Sequence, residues 1–321
     1  MSVDTDTAVL PQQQESPPKQ ENAPKPGMTK GKKITYGVLA VYVLGLAVII
    51  GAYGLSGKKD EQFSIVEPFH VTTWIALPGP LDFNKGVLYL LMTTVITVGL
   101  LLWISSRMTE RKPNRTQTAV ESMYDLIRRM TRENMDEDMA KKYFPLVFSL
   151  FVFILVTNLL GYVPLPVNTG HKFDNGFPSF QIYAANTNVA MPFILALGVF
   201  LSYNYEGFKH QGFRGYIKSL VPSGVGTGML FMLYPLEILS HILRLLSLAV
   251  RLWANLLAGH MLISFMSGDL AVLLGMPALG WITLPLGVAL FLFECALIAG
   301  LQAFIFAILT CIYIGGATRS H

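Results

Sequence analysis

Two apolar runs fix the class of this chain. From about residue 228 to 264, and again from about 271 to 316, the sequence is mostly Leu, Ile, Val, Ala, Phe and Gly. One crossing of a bilayer's hydrocarbon core takes about 20 residues, so each run is about twice as long as a single span requires. Backbone amides in lipid must be bonded within their own segment, which makes such runs α-helical. Each run is either two spans joined by a tight turn or one long helix lying obliquely at membrane depth against other protein. Neither run has a clear turn signal in its middle.

The rest of the chain fits the same class. Hydrophobic residues make up 52% and charged residues 14%, against about 25% charged in soluble domains. Residues 1–33, rich in Pro, Gln, Glu and Lys, cannot bury enough surface to fold and read as a disordered tail. An additional N-terminal membrane helix follows at 34–55, read as a retained anchor. The main domain occupies 56–321. Its earlier spans are expected at 86–105, 143–162 and 186–203, giving about six membrane helices in an all-α polytopic protein. An amphipathic stretch lies around 120–130. Basic groups cluster at 30–33, 107–132 and 209–218, whereas the loops 56–85 and 167–185 are poor in cations. The positive-inside rule therefore puts the N-terminus and the basic loops in the cytoplasm.

Within the first long run, Glu237, Ser240, Arg244, Ser247, Arg251 and Asn255 recur at intervals of 3, 4, 3, 4 and 4. These intervals keep side chains on one helical face, a stripe about 27 Å long. Ala258 and Gly259 continue it with small residues that allow another helix to approach. Arg244 has Glu237 two turns away. Arg251 has no carboxylate within two turns on its own helix. A guanidinium keeps its proton in proteins, and a charge at membrane depth costs roughly 2.5–3.5 kcal/mol on insertion scales. Arg251 is thus a permanent cation whose partner must come from elsewhere. The competing reading is a satisfied polar seam between packed helices.

The second run carries Glu294, Gln302 and Tyr313 as its main polar groups. His260 lies about 180° around the helix from Arg251 and is expected to face the last helix. There Glu294 is either its hydrogen-bonded partner or a separate proton-exchanging carboxylate.

The sequence LSLAVRLWANLLAGHML at 246–262 resembles the arginine helix of subunit a of F-type ATP synthases. GLQAFIFAILTCIY at 300–313 resembles that family's last helix. TNLLGYVP at 157–164 and NTNVAMPFILALGVF at 186–200 resemble two earlier segments, and the likeness covers roughly 64–317. The resemblance implies a proton-translocating stator subunit beside a rotating ring of c subunits. Arg251 would face a ring carboxylate, and two aqueous half-channels would meet the ring on either side of it. The last two helices would form a long tilted hairpin against the ring. It further implies proton-path roles for Glu237, Ser240, Arg244, Ser247, Asn255 and Gln302, with Asn158, Asn188, His260 and Glu294 on the far side. Partners would be the c-ring, b-type peripheral stalk subunits and, indirectly, the F1 head, in a bacterial plasma membrane. No cofactor or metal is implied. One departure stands out: Glu294 lies eight residues before Gln302, where the family pattern has seven, so Cys295 holds the expected position.

Other classes fare worse. The chain has no GxxxxGK[ST], HExxH, GxSxG or CxxC motif, so any nucleotide would be bound by another subunit. A net charge of +4 gives no case for nucleic acid. A self-contained transporter should carry inverted repeats, and none is visible. A purely structural anchor has little use for an unpaired arginine.

Overall fold

The computed structural model describes residues 30–53, 73–75, 83–107, 115–172, 178–219 and 227–318. Residues 1–29 of the proposed tail and most of the loop 56–85 lie outside these residues, and the last four residues of that tail, 30–33, are helical. Helix α1 (Lys30–Tyr53) falls largely in a separate unit, residues 1–48, and is described by itself: it holds the apolar stretch Thr35–Ala52, long enough to cross a membrane.

The main body opens with a short antiparallel pair, β1 (Thr73–Ile75) and β2 (Phe83–Asn84). Helix α2 (Lys85–Arg107) follows, and its first turn is capped by Asn84, whose Oδ1 accepts the Val87 N–H at 3.0 Å. Helix α3 (Arg115–Asn134) is amphipathic. Ile127, Met130 and Thr131 are buried, while Arg128, Arg129 and Arg132 are exposed. Helix α4 (Glu137–Gly161) begins with Glu137 and Asp138, which favour a helix N-terminus. A second antiparallel pair, β3 (Leu165–Lys172) and β4 (Pro178–Gln181), leads into a buried 3₁₀ turn at Ala185–Thr187.

Helix α5 (Ala190–Ser219) corrects the expected loop after Tyr203: the chain stays helical to 219 and bends at Gly212, whose φ of 69° suits a residue without Cβ. Its apolar face ends near Leu201, because Asn204 and Glu206 follow. Among the described residues five stretches are long and apolar enough to cross a membrane, and α5, at the expected span 186–203, is not one of them: Thr35–Ala52, Lys85–Ser106, Glu137–Gly161, Phe231–Leu274 and Ala278–Thr318.

Neither long run turns in its middle, which removes the option of two spans joined by a tight turn within each. Helix α6 (Thr227–Ser264) is 38 residues long, about 57 Å at 1.5 Å per residue, against a hydrocarbon core of about 30 Å. A π-helical turn at Phe265–Asp269 leads into α7 (Leu270–Leu274). The chain then reverses. Gly275 is left-handed (φ 64°), its N–H reaches the Val272 carbonyl at 3.1 Å, and the Met276 N–H reaches that of Ala271 at 2.9 Å. This is a Schellman stop, followed by Pro277 at the start of α8 (Pro277–Phe293). A second π turn, Glu294–Ile298, joins α8 to α9 (Ala299–Thr318).

The core lies among α4, α5, α6 and α9, around Val147, Phe151, Ile154, Val199, Leu252, Leu256, Phe306 and Ile314. Lipid is as apolar as these side chains, so close packing rather than transfer from water must hold the helices together. Ala299, Ala303, Ala307 and Gly315, all buried, line α9 at helical spacing. At Gly315 the approach is closest: an added Cβ would strike the backbone carbonyl of Asn134.

Candidate functional site

The stripe on α6 runs along the edge of this core. On the adjoining face Leu248, Ala249, Leu252 and Leu256 are 0–3% exposed, whereas Ser247 and Asn255 are exposed and Arg251 is half-buried. Ser240, Ser247 and Arg251 make no side-chain hydrogen bond or ion pair among the described residues. The arginine's partner is therefore missing from its neighbours as well as from its own helix.

One turn on, Asn255 crosses to the last helix. Its Nδ2 donates to Gln302 Oε1 at 3.0 Å, and Gln302 is 3% exposed. Two expected residues of the stripe and the final helix are thus tied together beside Arg251.

At the Glu237 end, Arg244 Nη2 lies 3.6 Å from Glu237 Oε1, as the two-turn spacing anticipated. His241 lies 3.7 Å from the same oxygen through Nε2, and its Nδ1 is 3.1 Å from Tyr203 Oη on α5. Tyr313 on α9 packs near Tyr203, with ring centroids 6.0 Å apart. Sequence reasoning passed over His241, although its position four residues after Glu237 and three before Arg244 puts it beside the stripe.

At the other end a second cluster is more deeply enclosed. His260 is 2% exposed and faces inward, as expected from its angle. It makes no hydrogen bond to Glu294: both its ring nitrogens are buried without a partner among the described residues. Tyr162 stands between the two. Its hydroxyl donates to Glu294 Oε2 at 3.0 Å, and its ring stacks on His260 at 4.9 Å and 25°. The Glu294 carboxylate fills the space a Cβ would occupy at Gly259, so α6 and the final run meet there with nothing between them. Nearby, Asn158 is fully buried. Its Nδ2 donates to the Ala299 carbonyl at 3.2 Å, and its Oδ1 accepts Asn186 Nδ2 at 3.0 Å. Asn188, expected in this group, caps α5 instead, its Oδ1 accepting the Ala190 N–H at 3.1 Å. Trp253 holds the preceding turn in place through Nε1 to the Thr187 carbonyl at 3.0 Å. Tyr162 and Asn186 escaped the sequence reading because both sit in turns, where no helical periodicity marks a face.

The one-residue offset of Glu294 has a local cause. The π turn at Glu294–Ile298 lies between Glu294 and Gln302. A π turn takes up one more residue than an α turn, and one residue is worth about 100° of rotation. Eight residues across it cover nearly the same angle as seven in a regular helix.

Known proteins match this chain over most of its length. The family model ATP synthase A chain matches residues 87–315, which leaves α1 outside. ATP synthase subunit a of Parvibaculum lavamentivorans is 36% identical over 245 residues, covering 74% of this chain and 86% of its own. That of Rhizobium rhizogenes is 37% identical over 247 residues, covering 75% and 91%. That of Mesorhizobium japonicum is 34% identical over 270 residues, covering 81% and 99%.

Proposed function

The chain belongs to the ATP synthase subunit a family and is a proton-translocating stator subunit of the membrane sector; from that premise we propose that Arg251 faces the carboxylate of a c-ring subunit, with one half-channel ending on each side of it. The observation that carries the reading is a half-buried permanent cation on α6 with no partner among the described residues, between a partly exposed polar cluster and a buried one. Along α6, Glu237 lies about 21 Å to one side of Arg251 and His260 about 14 Å to the other.

The first half-channel runs by Glu237, Ser240, His241, Arg244 and Ser247 on the cytoplasmic side, with the N-terminus on that side too. The second runs by Asn158, Asn186, Tyr162, Glu294 and His260. Buried polar groups are nearly always bonded. The His260 nitrogens and Asn186 Oδ1, which lack protein partners among the described residues, are thus natural contacts for channel water. Tyr162 joins Glu294 to His260 in place of a direct pair. Asn255 and Gln302 steady the surface beside Arg251.

A proton entering by one path neutralises a ring carboxylate, which can then face lipid. Approach of that carboxyl to Arg251 favours its ionised form, and the proton departs by the other path. The same cation bars a direct leak between the paths. Each charge crossing 100 mV supplies about 2.3 kcal/mol, which turns the ring. The long helices would lie tilted against the ring as a hairpin, b-type stalk subunits would brace the body, and the membrane would be a bacterial plasma membrane.

The test is ATP-driven acidification of membrane vesicles carrying Arg251→Ala, with assembly checked by co-purification of ring and soluble head. Loss of pumping in an assembled complex is expected. Pumping near the wild-type rate would reduce the stripe to a packing seam. A self-contained transporter would instead move ions when purified without the other subunits.

A further inference from the structure

Well away from the stripe, α3 and the first turns of α4 enclose a pocket of about 200 Å³. Arg128, Arg132 and Lys141 line it with Thr131, Tyr124 and Phe144, and no carboxylate is among the lining side chains. Arg128 and Arg132 are four residues apart, on one face of α3, and both are exposed. Neither forms a hydrogen bond or ion pair among the described residues. Lys141 pairs with Glu137 at 3.2 Å, but both side chains are well over half exposed, so the pair is weak and easily exchanged.

Below this basic mouth the surface changes character. Phe144 and Phe148 stack at 5.7 Å and 17° along α4, one turn apart. Tyr124 packs edge-on against both, at 4.7 and 5.7 Å. The ladder starts at the pocket and runs along the apolar stretch Glu137–Gly161. Tyr124 and the two phenylalanines are each partly exposed along this line.

We propose that this pocket binds an anionic phospholipid, its phosphate between Arg128, Arg132 and Lys141 and an acyl chain along Phe144 and Phe148. Guanidinium groups match phosphate oxygens with paired donors. Basic pockets between helices at the cytoplasmic boundary are suited to phosphate headgroups. A free anion would use the cations and leave the aromatic ladder without purpose. A soluble partner would have no use for a ladder that descends to membrane depth. An amphiphile uses both halves. The site is independent of the proton path, since none of its residues belongs to either polar cluster.

The assembled complex, reconstituted in phosphatidylcholine vesicles, would be given traces of phosphatidylglycerol carrying a photoactivatable group on one acyl chain. Labelling of the segment around 144–148 is expected, saturating with probe and unaffected by excess inorganic phosphate. It should fall about tenfold in Arg128→Gln/Arg132→Gln, with Arg128→Lys/Arg132→Lys retaining part of it. Phosphatidylcholine bearing the same group should label this segment weakly. Equal labelling by the two lipids in the wild-type complex would overturn the proposal, a comparison that needs no variant to assemble. So would displacement by phosphate, which marks a simple anion site, or crosslinking of this face to another subunit in place of lipid. Unchanged labelling in an assembled glutamine variant would do the same.

Discussion

The contact between Gly259 and Glu294 offers a sharp test of the second half-channel. Replacing Gly259 by alanine adds one methyl group where the Glu294 carboxylate now lies. The obstructing atoms are the far end of a flexible side chain, so the carboxylate moves and the helices stay. Moving it breaks the 3.0 Å hydrogen bond from Tyr162. Losing the partner of a buried polar group costs about 1–3 kcal/mol. Alanine is favoured over glycine in a helix interior by about 1 kcal/mol, but that gain accrues to α6 as a whole and does nothing to return the carboxylate. If protons pass Glu294, losing its positioning should slow ATP-driven acidification by roughly 10- to 100-fold, at about 1.4 kcal/mol per decade. The complex should still assemble. The companion variant is Gly259→Ala with Glu294→Asp, whose side chain is one methylene shorter and leaves room for the new methyl. It should pump faster than Gly259→Ala alone. Wild-type pumping in Gly259→Ala would refute the claim that Glu294 is held for proton transfer. A double variant no better than the two single losses combined would show that the collision is not the cause.

Two further substitutions probe the packing around Arg251 and along α9. Asn255→Ala should strand the buried Gln302 amide at a cost of about 1–3 kcal/mol, and Gln302→Leu in the same chain should recover part of the lost thermal stability of the complex, measured by the temperature at which subunits dissociate. Gly315→Ala should lower both the yield of complex and that temperature, because its methyl would meet a backbone carbonyl that cannot rotate away, while Gly316→Ala, with nothing within 4 Å, should leave both unchanged.

What the sequence revealed depended on periodicity. Six polar residues at helical spacing located the face of α6, and the two-turn interval between Glu237 and Arg244 anticipated their ion pair. The angle of His260 anticipated its inward burial. Residues outside periodic segments stayed hidden. Tyr162 follows the last helical residue of α4, and Asn186 sits in a 3₁₀ turn. Nothing in their spacing links either to Glu294 or Asn158, more than a hundred and exactly 28 residues away respectively. The reversal at Gly275 and Pro277 does carry a glycine-then-proline signal. It was masked because apolar residues continue on both sides, and because the turn falls near the edge of the second run.

The π turn at Glu294–Ile298 explains why a departure from the family spacing need not be a departure in geometry. In a regular helix the eight residues from Glu294 to Gln302 would leave the two side chains about 80° apart, and seven would leave them about 20° apart. The extra residue in the turn absorbs most of the difference. Glu294 therefore meets Tyr162 and Gly259 while Gln302 meets Asn255. These contacts are made to fixed points just after α4 and on α6, and a regular helix would turn one of the two side chains away from its partner at this spacing. The wide turn and the shifted carboxylate are best understood as one adjustment, with the cost of a π turn offset by the two contacts it allows.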